Sequence, residues 1–170
     1  GKRGLIMGVA NEKSAAWGIA EMAAEQGADL AFTYQIEGFR KRLVPLASSV
    51  GSDFLIPCDV AEETAAHKTF AAIRTRWDAL DFVVHAIGFS DKSELKGPYY
   101  NTTRQNFEQT MLISAFSFTE IAAEARKIMP EGGSLLTLSY LGGVRTTPNY
   151  NVMGVAKAAL ETSTRYLAVD

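Results

Sequence analysis

Apolar blocks of strand length alternate with amphipathic blocks of helix length along this whole chain, and that alternation leaves few folds open. Short apolar segments at 3–7, 29–34, 53–57, 81–85 and 134–140 are flanked by glycine or polar residues and read as buried parallel strands. Helical patterns occupy 14–26, 37–50, 62–76, 102–127 and 149–168, with Gly27, Gly51 and Gly132 near their ends. No linker or low-complexity stretch interrupts them, so the expectation is a single dinucleotide-binding domain over residues 1–170. Repeated β-α units with right-handed crossovers predict an α/β fold, a Rossmann-like doubly wound parallel sheet of strand order 3-2-1-4-5. The chain is too short for a closed eight-fold barrel. Ligands of such an open sheet sit beyond the carboxyl ends of strands 1 and 4. The final helical pattern runs into Asp170 without a stop signal or a following strand, so the C-terminal strands are expected to be missing and the chain to be a fragment.

Composition narrows the function classes. With 17 Lys plus Arg against 19 Asp plus Glu, the net charge of −2 favours no polyanion, and a nucleic-acid partner is not expected. The single cysteine, Cys58, allows no intrachain disulfide and no cysteine-based zinc site, which points to a reducing, cytoplasmic setting. No stretch approaches the ~18 apolar residues of a membrane span, and the apolar run at 5–10 is too short and too interrupted by Gly8 for a signal peptide.

Several strand ends carry residues suited to a nucleotide. The turn from Gly8 to Gly18 joins strand 1 to a helix N-terminus, where free N–H groups attract a pyrophosphate; Gly8 permits close backbone approach and Ser14 offers a hydroxyl. Its spacing does not match G-x-G-x-x-G, and a turn that only caps the helix would look the same. Strand 2 ends at Gln35, which can bond a ribose hydroxyl without adding charge. Arg40, Lys41 and Arg42 lie a turn later, as a phosphate clamp or as a solvated helix face, and the balance favours NADH over NADPH. After strand 3, Asp59 can accept from an exocyclic amine while Val60 packs on the ring; Asp59 can equally cap a helix opening at Ala61. Cys58 reads as a small buried hydrophobe and His85 as a structural imidazole. With only two histidines, His67 and His85, no metal site is expected.

The chemistry concentrates at Tyr150 and Lys157. Seven residues of helix turn through about 700°, ~20° short of two full turns, over ~10.5 Å, so both side chains share a face. Gly154 lies between them and leaves room for a ribose. An ammonium there would bond ribose hydroxyls and lower the phenol's pKa. Such a pair alone also describes a surface stripe; its position after a fifth strand, with a second phenol, Tyr140, at that strand's end, favours a site.

These blocks resemble the short-chain dehydrogenase/reductase superfamily and, within it, the bacterial enoyl-[acyl-carrier-protein] reductases of the FabI type. The resemblance spans the chain and is most specific at Leu136-Thr137-Leu138-Ser139-Tyr140 and Pro148-Asn149-Tyr150-Asn151-Val152-Met153-Gly154-Val155-Ala156-Lys157. Ketone-reducing members carry Ser about thirteen residues before the Tyr and an Asn-Asn-Ala-Gly block after strand 4. Here Thr137 and His85-Ala86-Ile87-Gly88 stand in those places. The resemblance implies hydride transfer from NADH to a trans-2-enoyl acyl-carrier-protein thioester in fatty acid biosynthesis, with Tyr150 stabilising the enolate, Tyr140 as second active-site phenol and Lys157 as ribose anchor. It assigns Gly8, Ser14, Ala15, Gln35, Asp59, Val60, Ile87 and Gly88 to the cofactor, and Ser90, Tyr140 and Met153 to the substrate. It also implies a cytoplasmic homotetramer whose interfaces use the two long helices, with Phe116, Phe118, Ile121 and Leu160 as compatible apolar residues. A ketone or alcohol reductase and a non-catalytic dinucleotide-binding module remain the competing readings.

Overall fold

The computed structural model describes residues 1–170. They gather into two compact units: Gly1–Ala86 with Ala123–Thr137, and Ile87–Ala122 with Leu138–Asp170.

The first unit holds the sheet. Strands β1 (Arg3–Met7), β2 (Asp29–Tyr34), β3 (Phe54–Pro57), β4 (Phe82–His85) and β5 (Ser134–Thr137) are all parallel, in the order β3-β2-β1-β4-β5. Helices α1 (Ala15–Glu25) and α2 (Glu37–Ser49) connect the strands on one side of β1, and α3 (Ala65–Arg74) returns the chain to the other. With right-handed crossovers, this reversal after β3 puts helices on both faces. The fold is therefore the Rossmann-like, doubly wound sheet that the sequence predicts.

The central strands lack alternation because both their faces are covered. Ile6 pairs with Phe32 and Val84, and this row packs on Trp17 and Ala20 of α1 and Leu43 and Ala47 of α2. The neighbouring row, Leu5 with Ala31 and Val83, is also fully buried. Each large side chain so buried contributes about 1.5–3 kcal/mol. No helix is long and apolar enough to cross a membrane.

In the second unit, the expected helix over 102–127 divides. Thr103 caps α4 (Arg104–Met111) by accepting from the Asn106 N–H at 3.2 Å, a wide π turn covers Leu112–Phe116, and α5 (Ser117–Ala125) then leads the chain back into the first unit. Two hydroxyls hold the wide turn: Ser117 Oγ donates to the Ile113 carbonyl at 2.7 Å, and Ser114 Oγ bonds the backbone of Phe89. The last helix, α6, runs Asn151–Leu167. Phe118, Ile121 and Leu160, three of the apolar residues compatible with an interface, are buried within the chain, whereas Phe116, Phe107 and Leu112 are exposed.

Two other boundaries differ from expectation. Strand 5 stops at Thr137 rather than 140, because Lys157 Nζ takes the Leu138 carbonyl and Tyr140 opens a 3-10 turn over Leu141–Gly143. Helix α3 begins at Ala65 rather than 62, because Asp59 folds the intervening residues into tight turns, accepting the Ala61 N–H at 3.0 Å. Asp59 therefore caps no helix.

Candidate active site

In the first unit, the nucleotide-type residues collect at the carboxyl ends of the strands. Gly8 follows β1 with φ +95, and a Cβ there would lie 2.0 Å from the Ala86 carbonyl oxygen. Its missing side chain thus lets two backbone segments of the protein approach, before any ligand is considered. Ser14 stands just ahead of α1, but its Oγ accepts the N–H groups of Ala10 and Asn11, each at 3.0 Å, rather than one in the helix. The hydroxyl closes the loop, and the first turn of α1 has neither a side-chain cap nor an acidic residue. Its partial positive charge is left uncompensated beside the exposed Ala15.

Gln35 and Asp59 meet: Gln35 Nε2 donates to Asp59 Oδ2 at 3.0 Å, and Val60 beside them is buried. The basic triplet forms no clamp. Arg40 pairs with Glu37 at 3.2 Å, Arg42 lies over the Phe39 ring, and all three bases are exposed. Cys58 is buried, which pushes its thiol pKa up and keeps it unreactive. His85 is fully buried, with Thr137 Oγ1 donating to its carbonyl at 3.0 Å and standing 3.4 Å from Nδ1, a structural arrangement within the sheet.

The second unit brings the two phenols together and holds Lys157 on the helix that follows. The rings of Tyr140 and Tyr150 are 4.8 Å apart between centroids and inclined at 58°. Tyr150 does not lie within α6 but immediately before it, between two asparagines of positive φ, Asn149 at 56° and Asn151 at 35°. Asn151 Nδ2 donates to the carbonyls of Glu94 and Gly97 at 3.1 and 3.2 Å, tying the preceding loop to the head of the helix. Lys157 is 8 % exposed, and its Nζ donates to the Leu138 carbonyl at 2.7 Å. A Cβ on Gly88 would lie 3.8 Å from that Nζ and 3.5 Å from Met153 Cε, so Gly88, Met153 and Lys157 face one space. Ile87, half-buried, precedes them.

Two expectations fail here. Gly154 does not make room for a ribose: a Cβ on it would fall 2.6 Å from the Gly142 carbonyl oxygen, so its bareness accommodates the 3-10 turn. Gly142 in turn has no space for a side chain, its Cβ position being 2.3 Å from the Tyr150 ring. Nor is the phenol acidified. Burial raises the Tyr150 pKa above its ordinary 10.0 and the neighbouring Tyr140 raises it further, while burial lowers that of Lys157. At neutral pH Tyr150 is a protonated donor.

Ser90 is buried through its side chain, accepting from Thr110 Oγ1 at 2.9 Å and Asn106 Nδ2 at 3.2 Å, so only its backbone is available to a ligand. Ser114 escaped the sequence reading. Its Oγ accepts the Phe89 N–H and lies within bonding distance of the Phe89 carbonyl, both at 2.9 Å, anchoring the segment that bears Gly88. The wide turn that presents it has no local sequence signature.

A parallel sheet of order 3-2-1-4-5, followed by a helix headed by Tyr and carrying Lys seven residues on, is the pattern of the short-chain dehydrogenase/reductase fold. The chain belongs to the enoyl-(acyl carrier protein) reductase family, whose family model matches residues 8–170. Among curated relatives, enoyl-[acyl-carrier-protein] reductase [NADH] 2 of Rhizobium meliloti (strain 1021) is 65% identical over 170 residues, covering 100% of this chain and 63% of its own length. FabI of Rickettsia bellii (strain RML369-C) is 50% identical over 170 residues, 100% of this chain and 65% of the relative. Of solved structures, FabI from Candidatus Liberibacter asiaticus superposes with TM-score 0.98 at 60% identity, covering 100% of this chain and 66% of that one. The enoyl reductase from Anaplasma phagocytophilum in complex with NAD gives 0.97 at 54% identity, covering 100% and 65%. The chain thus spans a little under two thirds of the length of these curated relatives.

Proposed function

We propose that this chain carries the nucleotide-binding and catalytic residues for NADH-dependent reduction of the trans-2 double bond of an enoyl-acyl-carrier-protein thioester in fatty acid elongation. The observation that carries the reading is the apposition of Tyr140 and Tyr150, centroids 4.8 Å apart, at the head of the helix that bears Lys157.

The donor set suits a dinucleotide. The uncapped first turn of α1, with Gly8, Ser14 and Ala15, suits a pyrophosphate; Gln35 suits a ribose diol; Asp59 and Val60 suit an adenine. Lys157 commits one of its three N–H donors to Leu138 and keeps others for the nicotinamide ribose, next to the bare Gly88 and Ile87. No basic side chain at the end of β2 is arranged for a 2′-phosphate, and the relatives' names specify NADH. NADH, when bound, supplies the hydride for the β-carbon of the substrate.

The chain's own work is electrostatic. Hydride addition to a conjugated thioester drives negative charge onto the carbonyl oxygen, and a donor that binds this charge more tightly than the neutral carbonyl lowers the barrier. Tyr150 Oη is protonated at neutral pH, since burial only raises a phenol pKa that ordinarily stands at 10.0, so it can donate to that oxygen. Tyr140 supplies the second phenol. Met153 and the backbone at Ser90 border the acyl group. The protein acts in the cytoplasm, as a homotetramer that covers the exposed Phe107, Leu112 and Phe116.

The test follows NADH oxidation by the full chain with crotonyl thioester and, separately, acetoacetyl thioester. Tyr150→Phe is expected to lower kcat on crotonyl thioester by about 10²–10³, with NADH binding, followed by fluorescence, unchanged. Turnover of acetoacetyl thioester alone would establish a ketone reductase instead. NADH binding without turnover of either substrate would establish a non-catalytic module.

A further inference from the structure

We infer that Glu161 is a positioning residue for Tyr140, fastening the turn that carries this phenol to helix α6; the inference rests on the function proposed above. Tyr140 is 51 % exposed, so burial of its own side chain does little to fix its place. Beyond its ring contact with Tyr150, its position depends on the backbone from 138 to 143, and α6 holds that segment at three successive levels. Gly142 presses its carbonyl against Gly154. One turn down the helix from Gly154, Lys157 Nζ takes the Leu138 carbonyl at 2.7 Å. One turn beyond Lys157, Glu161 Oε1 accepts a hydrogen bond from the Ser139 hydroxyl. The same carboxylate oxygen lies 3.0 Å from where a Cβ on Gly143 would be, so the turn passes closely over it.

Of these contacts, the one to Ser139 acts on the residue adjacent to Tyr140. A carboxylate accepting a hydroxyl makes a charge-assisted bond, roughly twice as strong as a neutral one. Without it, Leu138 stays tied to Lys157 while Ser139 and Tyr140 gain freedom, and the second phenol spends less time where the substrate oxygen becomes negative. Such a loss reduces kcat and leaves NADH affinity alone, because the nucleotide-facing residues keep their contacts.

Steady-state kinetics of the full chain with NADH and crotonyl thioester provide the test. Glu161→Ala is expected to lower kcat about tenfold with the KM for NADH within about twofold, while Glu161→Gln, whose amide oxygen still accepts from Ser139, recovers most of the rate. Ser139→Ala should reproduce the loss, and combining it with Glu161→Ala should add little, since both remove one bond. In a Tyr140→Phe background Glu161→Ala should cost less than about twofold, since the group it positions is gone. An active wild type with an undiminished Glu161→Ala, or with equal losses in the presence and absence of the Tyr140 hydroxyl, overturns this role alone. A wild type inert towards crotonyl thioester overturns the proposed function and this role with it. Should Glu161→Ala fail to fold, Ser139→Ala decides, because Ser139 is exposed and its loss touches only the bond in question.

Discussion

Replacing Gly8 by alanine separates two reasons for a glycine at the end of β1. If it is bare only so that a pyrophosphate can approach, the nucleotide-free protein will tolerate alanine and only NADH affinity will fall. The geometry says otherwise. An L-residue at φ +95 costs about 1–2 kcal/mol. The new Cβ would stand 2.0 Å from the Ala86 oxygen and 2.6 Å from its carbon, both backbone atoms with no flexible side chain to yield. Relief requires β1 and β4 to part by more than about 1 Å where the Ala86 N–H bonds the Met7 carbonyl at 3.1 Å, which forfeits about 1 kcal/mol and adds about 1–3 kcal/mol of overpacking strain. The expected cost is about 3–6 kcal/mol, a large share of a typical domain's 5–15 kcal/mol. Urea unfolding of the full chain without nucleotide measures it as a fall in midpoint at constant slope. A loss below about 1 kcal/mol would show that the strand ends can part cheaply and refute the argument.

The remaining predictions use the same structure. Gly18 in α1 has nothing within 4 Å of its Cβ position and no positive φ, so Gly18→Ala should stabilise by about 1 kcal/mol, raising Tm by about 2–4 °C. Burial lowers the Lys157 pKa below 10.5, so the unfolded chain binds that proton more tightly; stability rises with pH across the interval up to 10.5 and the full penalty applies below it. Tyr150 has the opposite sign: its raised pKa lets the unfolded chain ionise first, and stability falls as pH passes above 10.0. Urea midpoints across that range should lose the rising component in Lys157→Met and the falling one in Tyr150→Phe, and absorbance titration should place the phenol missing from Tyr150→Phe above the ordinary range.

What was legible in the sequence follows from which forces act locally. The strands β1 to β4 were readable because burial on both faces demands continuous apolar runs, and their order followed from alternation plus crossover handedness. The pairing of Tyr150 with Lys157 by helix periodicity does not carry over as read, because Tyr150 precedes α6 and Asn151 breaks the helical backbone between them. The misreadings have a common origin in contacts between distant segments. Leu138, Ser139 and Tyr140 have strand composition, but a lysine nineteen residues on removes the Leu138 carbonyl from the ladder. Residues 102–127 have helical composition, yet Ser114 reaches back twenty-five residues to Phe89 and the turn around it widens. Gly154 looked like ligand space, and only the approach of Gly142 shows what occupies it.

The asparagines flanking Tyr150 explain how that phenol is fixed. Within α6 it would point where the helix dictates; outside it, held by two left-handed residues that asparagine tolerates better than most, it turns toward Gly142 and Tyr140. Backbone of this kind costs about 1–3 kcal/mol per residue and persists only where neighbours enforce it, as the Asn151 amide does by bonding two carbonyls of the 94–97 loop. The ring packs closely over Gly142, and partial burial, followed by the neighbouring Tyr140, raises the phenol's pKa instead of lowering it. On the function proposed above, a neutral donor there binds an oxyanion more strongly than it binds a carbonyl, because a hydrogen bond to a charged acceptor is the stronger one. Desolvation at Tyr150 thus accounts for one departure from the simplest reading of a Tyr-Lys pair: the phenol is held protonated rather than acidified.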